Sequence, residues 1–522
     1  MKQLSLAGAL LLAVSPAVAR AGGFTVPGAG PQAQARAGAF VAKADDPSTM
    51  AYNPAGFAKM DGLVVTIGAN FVDYHMRFAR YGNYESTGSM GAAYEGQPYP
   101  VIEDQSKPSF GIGGFQATPS IVVSTDLGHP EWPLRVGVGL FTPQGYPARK
   151  YPLQLDLPGI ADPAPSPQRY DIIQQTAATV LPSLAVAYSP LPSLDVGARI
   201  SWGYATVTGQ KAVWSVRNYE ESPGSDSVFT LQAKDRFVPA FGLGALYRPT
   251  TFLELGASYY SPMHVRAKGT GNSMVGAGVI KGLQTVPVDD QYARCQKGGE
   301  IGKLEACLHI DVPQMVSAGG RYIVHDARGR ERADVELDFR WEQWSHASNT
   351  IIQIDGQVDT NGGLLPLNES LNRHGFRDVL STRLGGSYAI DVGSNRLILR
   401  AGAAYDTAAA PDSWTRVDID GKARATLTGG IAFETAHYRI DLGGGASLEP
   451  HITVEPCLPP DGPTVDTPGC GPGGADIPFA DRTQPDPGQP LRGSRNQLES
   501  PFNAGTYQSG YVLMSLGVTA WY

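Results

Sequence analysis

The chain ends in the stretch Tyr511-Val-Leu-Met-Ser-Leu-Gly-Val-Thr-Ala-Trp-Tyr522, in which every second residue is apolar. Because side chains alternate between the two faces of a strand, this period of two predicts a β-strand with one apolar face. That face carries Val512, Met514, Leu516, Val518, Ala520 and Tyr522. An apolar face and an aromatic chain end are typical of outer-membrane β-barrels. A strand of a soluble β-sandwich has the same alternation, so the rest of the chain must distinguish the two classes.

The first 21 residues have the features of a secretory signal peptide. Lys2 precedes an apolar run over residues 4–14, and the small residues Ala19 and Ala21 fit a cleavage site. The run is too short to cross a membrane as a helix, so we expect cleavage and export. The mature chain is predicted to start at Gly22, with cleavage after Ala19 as the alternative. No later stretch approaches the roughly 18 apolar residues of a membrane-spanning helix.

The composition fits a large barrel better than a set of soluble domains. The 522 residues include 63 Gly, 41 Pro and 23 Tyr, and only 17% are charged. Such a mixture suits many strands, tight turns and aromatic girdles at the membrane surfaces. The net charge is −8 and no basic block occurs, which argues against a nucleic-acid partner. We expect no cofactor and no metal.

Strand-like segments recur along the chain, and we count fourteen of them. They are predicted at 63–79, 110–126, 133–142, 170–189, 194–213, 231–248, 251–268, 311–324, 332–352, 375–390, 395–407, 422–435, 437–449 and 505–522. Connections after even-numbered segments are short. Those after odd-numbered segments are mostly long and include 80–109, 143–169, 269–310, 353–374 and 450–504. Short turns at one end and long loops at the other predict an all-β transmembrane antiparallel barrel of about 14 strands.

The facing of the strands separates a membrane barrel from a sandwich. In 333–342, apolar and aromatic residues alternate with Asp334, Glu336 and Asp338. A membrane barrel turns the apolar face to lipid and keeps the polar face in the lumen. Arg383 and Arg400 have the inward parity on the next two strands, so ion-paired ladders are expected along the inner wall. Such pairs either stiffen the barrel or bind the head group of a ligand.

Four cysteines fall into two close pairs, Cys295 with Cys307 and Cys457 with Cys470. Both pairs lie in long loops on the predicted outer side of the barrel. In an exported chain an even, paired set favours two local disulfides. Metal binding is the alternative, although no Cys-x-x-Cys motif or histidine cluster accompanies them.

Residues 22–60 do not follow the strand pattern. The stretch 31–44 is rich in alanine and is predicted to form a short helix. A second helix is expected to begin with Asp46 as its N-cap, and it must end before Pro54, so that Asn53 to Gly56 form a turn. Fourteen strands enclose a lumen too wide for side chains alone to fill. This segment is therefore predicted to plug the lumen, with a periplasmic tail as the alternative.

The residues of this segment resemble the hatch of a known family of transporters. The matching positions are Gly23-Phe24, Gly28, Arg36-Ala37-Gly38-Ala39, Ala44-Asp45-Asp46-Pro47-Ser48-Thr49 and Asn53-Pro54-Ala55-Gly56. They are similar to the hatch of the FadL/TodX family, which transports long-chain fatty acids and other hydrophobic compounds across the outer membrane. Further similarity runs through 338–345, 383–388 and 399–412. The loops 269–310 and 450–504 depart from the family and look like additions.

The resemblance implies a plugged barrel with three parts: a signal peptide (1–21), a hatch (22–60) and a barrel (61–522). Ligand is then caught among the outer loops, passes to a pocket above the hatch and leaves sideways into the membrane. The hatch motif would comprise Asp45, Asp46, Asn53, Pro54 and Ala55. Expected partners are a long-chain fatty acid or other hydrophobic molecule and outer-membrane lipid, with the protein itself a monomer.

Further ligand and gate residues are candidates on this scheme. The pocket would include Gly22, Gly23 and Phe24, and Arg199 would bind a fatty-acid carboxylate. An apolar capture surface is expected in the loop 143–169, from Tyr146, Tyr151, Leu153 and Leu155; simple loop packing is the alternative. The third strand runs into Phe141, Pro143 and Gly145, where proline cannot extend the ladder. This is either a lateral gate or a plain loop start.

Three other functions are considered. An enzyme would need a constellation of catalytic residues, but His264, His325, His346 and His374 are scattered and no Gly-x-Ser-x-Gly elbow occurs. A porin for polar solutes would have an open lumen instead of a plugged one. A surface adhesin is supported only by the large loops with their cysteines.

Overall fold

The computed structural model describes residues 29–84, 91–107, 111–142, 148–213, 226–275, 285–359, 363–367, 370–454 and 503–522. These residues form a closed antiparallel β-barrel of 14 strands, as predicted. We number the barrel strands β1 (Leu63–Arg80), β2 (Phe115–Thr125), β3 (Leu134–Phe141), β4 (Gln174–Leu191), β5 (Leu194–Val213), β6 (Ser227–Thr250), β7 (Leu253–Tyr260 and Met263–Val275), β8 (Leu304–Val312 and Met315–His325), β9 (Glu331–Glu342 and Asn349–Asp359), β10 (Ser370–Arg373 and Val379–Val392), β11 (Asn395–Asp406), β12 (Arg424–Glu434), β13 (Tyr438–Leu448) and β14 (Gly505–Trp521).

The last strand closes the barrel against the first. β14 pairs with β1 along its whole length, from Val64 opposite Trp521 to Arg80 opposite Gly505. Every other strand pairs with its neighbours in sequence. The short turns after β2, β4, β6, β8, β10 and β12 lie at the end of the barrel where Leu63 meets Tyr522. This sorting of connection lengths confirms the prediction and puts the short turns on the periplasmic side.

The two faces of β14 have the predicted polarity. The even positions Val512 and Met514 are 40% and 51% exposed on the outside of the barrel. The odd positions Leu513, Ser515 and Thr519 are buried inside it. On β9 the acidic side chains are likewise inward and buried, and the apolar ones are outward. The apolar face is therefore the lipid-facing one.

The barrel wall is much taller on one side than the prediction implied. β6 has 24 residues and β3 has 8, and 24 residues rise about 80 Å along the strand. Residues 304–310 at the start of β8 were expected to lie in the loop 269–310, but they pair with β7 and β9. Their outward side chains are Glu305, Cys307 and His309. Because this outward face is polar, the segment lacks the apolar outward face by which the lipid-facing strands were recognised.

The predicted disulfide between Cys295 and Cys307 is present. Cys307 lies on β8, and not in a loop as expected. Cys457 and Cys470 lie outside the described residues.

The remaining elements are short. Two-residue and three-residue strands lie at Ile102–Glu103, Gly111–Ile112, Arg149–Lys150, Gln154–Leu155, Ala164–Pro165, Thr285–Pro287, Leu364–Pro366 and Ile452–Val454. One α-helix spans Pro31–Ala35, and 3₁₀ helices span Pro47–Ala51, Pro54–Lys59, Trp344–His346 and Asp412–Trp414. Among the described residues, no helix has the length and apolar character needed to cross a bilayer.

Candidate functional site

Residues 29–60, here called the N-terminal segment, are almost entirely buried. The expected helix over 31–44 is limited to Pro31–Ala35, because Ala37 and Gly38 have φ angles of 52° and 81° and turn the chain. Asp46 caps the next helix as predicted, and its side chain accepts a hydrogen bond of 2.9 Å from the Ser48 amide. Asn53 does not sit in a plain turn. It caps a further 3₁₀ helix through the Ala55 amide.

Wall carboxylates bind the backbone of this segment. Asp338 accepts hydrogen bonds from the amides of Phe40 and Val41 at 2.9 and 3.0 Å. Glu336 accepts from the amides of Ala42 and Lys43 at 2.6 and 3.2 Å. The two carboxylates satisfy four consecutive amides in a stretch that has no regular secondary structure of its own to satisfy them.

Ion pairs add to these contacts. The guanidinium group of Arg36 lies 2.9 Å from Asp334 and 2.9 Å from Glu336, with all three side chains fully buried. It also donates to the Ser387 hydroxyl at 2.7 Å. Lys59 pairs with Glu254 at 2.8 Å. The segment is therefore held by the inner wall on several sides.

The ladders expected between the acidic strand and Arg383 and Arg400 do not form as predicted. Arg383 pairs with Asp406 at 2.6 Å and donates to the Ala37 carbonyl at 3.0 Å. Arg400 pairs with Asp441 at 2.6 Å and donates to the Gln32 side chain at 2.6 Å. The acidic residues of β9 are used by the N-terminal segment instead, so the wall arginines find carboxylates on β11 and β13.

Inward glycines let the backbone of the segment approach the wall. A Cβ atom at Gly402 would fall on the backbone between Arg36 and Ala37, and one at Gly256 would fall on the Val41 carbonyl. The hatch-motif residues share this environment: Asn53 donates to the carbonyls of Val41 and Ala245 at 2.8 and 3.0 Å. Pro54 and Ala55 pack on Gly197. Of the two acidic motif residues, Asp45 pairs with Lys43 at 2.9 Å and Asp46 with Arg439 at 2.8 Å.

Above the segment the polarity of the barrel faces reverses. On β5, Arg199 is inward while Ile200 and Trp202 are outward and exposed, but nearer the outer end Val207 is inward and Thr208 outward. The same reversal occurs on β7 and β8. On β6 the outward face changes from Phe237 and Phe241 to Gln232 and Lys234, whereas the inward face is apolar at both levels. The inward apolar side chains of this region are Ala205, Val207, Phe229, Leu231, Ala233, Val265, Ala267, Ala306 and Leu308.

The opposite side of the lumen is apolar at the same level. β1 turns Val72, Tyr74, Met76 and Phe78 inward and Asp73, His75 and Arg77 outward. Tyr507, Tyr511 and Leu513 of β14 join this inward cluster. At this level the outer face is polar and the apolar side chains point into the lumen. Contact with membrane lipid therefore does not account for these apolar side chains. We call the two inward clusters together the upper lumen lining.

Two outer loops close over this lining. Tyr151 and Ile172 of the loop 142–173, together with Val417 of the loop 407–423, belong to the same buried cluster as Tyr74. Tyr151 is 1% exposed, so it packs inward and is not on an outer capture surface. Leu153 is 37% exposed and Leu155 packs on the cluster.

A single carboxylate joins the two loops. Asp171 accepts hydrogen bonds from the Arg416 side chain at 2.5 and 2.9 Å, and from the amides of Val417 and Asp418 at 2.7 and 3.1 Å. Asp418 in turn bonds His374 at 3.0 Å. Burial would raise the pKa of Asp418, but the charges of His374 and Arg416 hold that pKa below its usual range.

A pair of carboxyl groups, Asp420 and Glu449, lies beside the lining. The Ser509 hydroxyl is within hydrogen-bonding distance of both Asp420, at 3.0 Å, and Glu449. Tyr74 donates to Asp420 at 3.0 Å. Burial, and then the neighbouring Asp420, raises the pKa of Glu449 to about 8.

Arg199 differs from the other buried wall arginines. It is 5% exposed, and its guanidinium group donates to the Met50 carbonyl at 2.8 Å. It lies over the rings of Tyr260 and Phe141 at 4.5 and 5.1 Å. No carboxylate of the described residues is within ion-pair distance of it, and its Nε has no hydrogen-bond partner among them.

Phe141 is the last residue of β3 that pairs with both neighbours. Residues Leu134–Phe141 pair without interruption with β4, which excludes an opening inside the strand. The next described pair on this side of β4 is Arg149 opposite Gln175, and residues 143–147 lie outside the described part of the chain. Pro143 and Gly145 lie outside the described residues, as do Gly22, Gly23, Phe24 and Tyr146.

Sequence reasoning missed two features of this site. The parity of β9 predicted inward acids but not that they bind backbone amides. The inward alternation at 227–233, 265–267 and 304–308 was available in the sequence, and it would have been found by scanning for apolar residues on either face.

Comparisons with known proteins agree with this architecture. The model of the outer membrane protein transport protein family (OMPP1/FadL/TodX) matches residues 12–445. Solved structures with the same fold include a Pseudomonas aeruginosa FadL homologue at 16% identity, with a TM-score of 0.64 and coverage of 96% of this chain and 100% of that one. The Ralstonia pickettii toluene transporter TbuX follows at 14% identity, with a TM-score of 0.57 and coverage of 96% and 100%.

The P. putida toluene transporter TodX is also 14% identical, with a TM-score of 0.56 and coverage of 95% and 99%. A search of curated proteins found no match. The chain therefore belongs to the OMPP1/FadL/TodX family of transport proteins, which lie in the outer membrane of Gram-negative cells.

Proposed function

We propose that this protein takes up hydrophobic compounds, above all long-chain fatty acids, by diffusion through a hatch-gated barrel. The observation that carries the proposal is the upper lumen lining, an apolar interior that lies above the level where the outer face becomes polar. Apolar surface removed from water favours apolar ligands by about 25 cal/mol per Å². A pore for polar solutes would gain nothing from such a lining.

The hatch in this proposal comprises residues 22–60, and the N-terminal segment is its described part. Its contacts with β9, β10 and β11 support a plug that blocks aqueous flow in the resting state. The contacts are polar and distributed, so that local rearrangement, and not complete release, is the expected motion when ligand enters.

The environment of Arg199 favours fatty acids over uncharged hydrocarbons as the transported ligand. A buried cation without a carboxylate partner is costly, and the carboxylate of a ligand would satisfy it. TbuX and TodX are named as toluene transporters, so monoaromatic hydrocarbons are the second candidate. The upper lumen lining alone would serve either ligand.

The exit is proposed to lie at the outer end of β3, beyond Phe141. Met50 and Phe57 of the N-terminal segment belong to the same buried cluster as Phe141. Movement of the segment would therefore reach this part of the wall directly. A lateral exit delivers a hydrophobic ligand to the membrane without crossing the aqueous periplasm.

The test is uptake of a radiolabelled 16-carbon fatty acid and of labelled toluene by cells whose own fatty-acid channel is deleted. The intact protein should support uptake of the fatty acid. Arg199→Met should weaken the apparent affinity for the fatty acid about 10-fold to 100-fold, as expected for a charged hydrogen bond, and leave toluene unaffected. Arg328→Ala, an exposed periplasmic change, is the control.

Uptake of toluene without uptake of the fatty acid would favour the second candidate. High ion conductance with uptake of neither compound would favour a porin.

A further inference from the structure

A cluster of cations lies on the outer face of the tall wall, outside the lumen. Its side chains are exposed and sit on two adjacent strands just beyond the lipid-facing aromatic residues Phe237 and Tyr259. The cluster, here called the outer cation patch, consists of Lys234 and Arg236 on β6 and Arg266 and Lys268 on β7.

Three of the four charges of the patch have no acidic partner among the described residues. Lys234 and Lys268 are direct cross-strand partners, and like charges in this position are destabilising. In the described part of the chain no acidic side chain is within ion-pair distance of Lys234, Arg236 or Lys268. The neighbouring Asp235 is used by the backbone, since it accepts from the amides of Phe237 and Arg266 at 3.0 and 2.7 Å.

Acidic neighbours neutralise the fourth cation of the patch, Arg266, and other cations of the outer face. Arg266 pairs with Asp311 at 2.8 Å, and His264 bonds the same carboxylate at 2.8 Å. On β1 the outward Arg77 pairs with Glu103 at 3.6 Å. The excess of positive charge is therefore local to β6 and β7.

The height of the patch matches the head-group layer of the outer leaflet. Lys234 is three residues beyond Phe237, which is a rise of about 10 Å along the strand and less along the membrane normal because barrel strands tilt. The polar interface adds roughly 5–8 Å on each side of the hydrocarbon core. Cations at this level face lipid phosphates, and charge-assisted bonds to phosphate are strong.

We propose that the outer cation patch binds the phosphate groups of a phosphorylated lipid of the outer leaflet. The acyl chains of that lipid lie along the outward aromatic side chains Phe237, Phe241 and Tyr259 below the patch. The phosphate lies between Lys234 and Lys268 and removes their mutual repulsion. This site is separate from the lumen and does not depend on which compound is transported.

The experiment is native mass spectrometry of the full-length protein in detergent, titrated with bis-phosphorylated lipid A and with the same lipid after enzymatic removal of its phosphates. The intact protein should retain the phosphorylated lipid far better. The triple variant Lys234→Gln, Arg236→Gln, Lys268→Gln should bind it roughly 100-fold more weakly, at about fivefold per cation. Heat-modifiable migration on a gel checks that the barrel has folded.

The control variant is Arg77→Gln, Lys303→Gln, Arg328→Gln, which removes the same charge from other exposed positions and should bind as the intact protein does. Equal losses in both variants, or equal binding of the dephosphorylated lipid, would overturn the proposal. Displacement of the lipid by millimolar inorganic phosphate would point to a free-anion site and would also overturn it.

Discussion

Replacement of Arg36 by methionine tests how the N-terminal segment is held in the lumen. Arg36 is fully buried, and its guanidinium group bonds Asp334, Glu336 and Ser387 at 2.9, 2.9 and 2.7 Å. Removal of one partner from a buried ion pair costs about 3–5 kcal/mol. Lys43 and Arg321 still face Asp334, so the lower end of this range is expected. Because 1.4 kcal/mol is a factor of ten, the ratio of displaced to docked segment should rise about 100-fold.

The assay is ion conductance of single barrels in a planar bilayer. The intact protein should be closed for nearly all of the recording, and Arg36→Met should show openings with a total open time about 100-fold longer. Arg36→Lys keeps the charge and should fall between the two. Arg328→Ala should match the intact protein.

A second replacement separates loss of the pair from general damage. Glu336→Gln added to Arg36→Met removes the carboxylate that the first change leaves unpaired, so the two effects should not add. A folded Arg36→Met barrel with the conductance of the intact protein would refute the anchoring role of Arg36.

Three further predictions concern the wall and the outer loops. Gly402→Val should displace the N-terminal segment and raise conductance, because the valine side chain would overlap the Arg36 backbone. Gly429→Val is the control and should leave conductance unchanged, since the nearest atom to a Cβ at this position is 3.6 Å away. Asp171→Asn should speed amide hydrogen exchange in 407–423 about tenfold or more through loss of charged hydrogen bonds, with the exposed Asp156→Asn as control. The raised pKa of Glu449, about 8, means that the folded protein holds this proton more tightly than the unfolded chain. Stability should therefore fall as pH rises from 7 to 9, and Glu449→Gln should reduce the fall in thermal midpoint; an equal fall in both proteins would contradict this.

The strand pattern could be predicted from the sequence because contact with lipid requires apolar side chains on the outward face of each strand. β1, β5, β11 and β14 begin or end within a residue of their predicted bounds for this reason. Where a strand extends beyond the bilayer, its outward side chains no longer need to be apolar. Residues 304–310 of β8 and 353–359 of β9 were therefore assigned to loops, although inward side chains such as Leu308 and Ile354 are apolar.

The site was harder to predict than the fold. Asp46 was correctly predicted as a helix cap, since capping is a local property. Asn53 was predicted in a turn but caps a 3₁₀ helix. The partners of Arg36 lie about 300 residues away in sequence, and the partners of Arg383 and Arg400 depend on which strand the N-terminal segment contacts. Such pairings follow from how the segment packs in the lumen, which parity alone does not determine.

The central claim is that the N-terminal segment blocks the barrel to ions while hydrophobic compounds still pass. The measurement is bilayer conductance of the intact protein and of a variant that lacks residues 29–60, beside uptake of labelled fatty acid by the intact protein. We predict low conductance with fatty-acid uptake for the intact protein, and a large steady conductance for the deletion variant. High conductance from the intact protein, unchanged by the deletion and without fatty-acid uptake, would contradict the account.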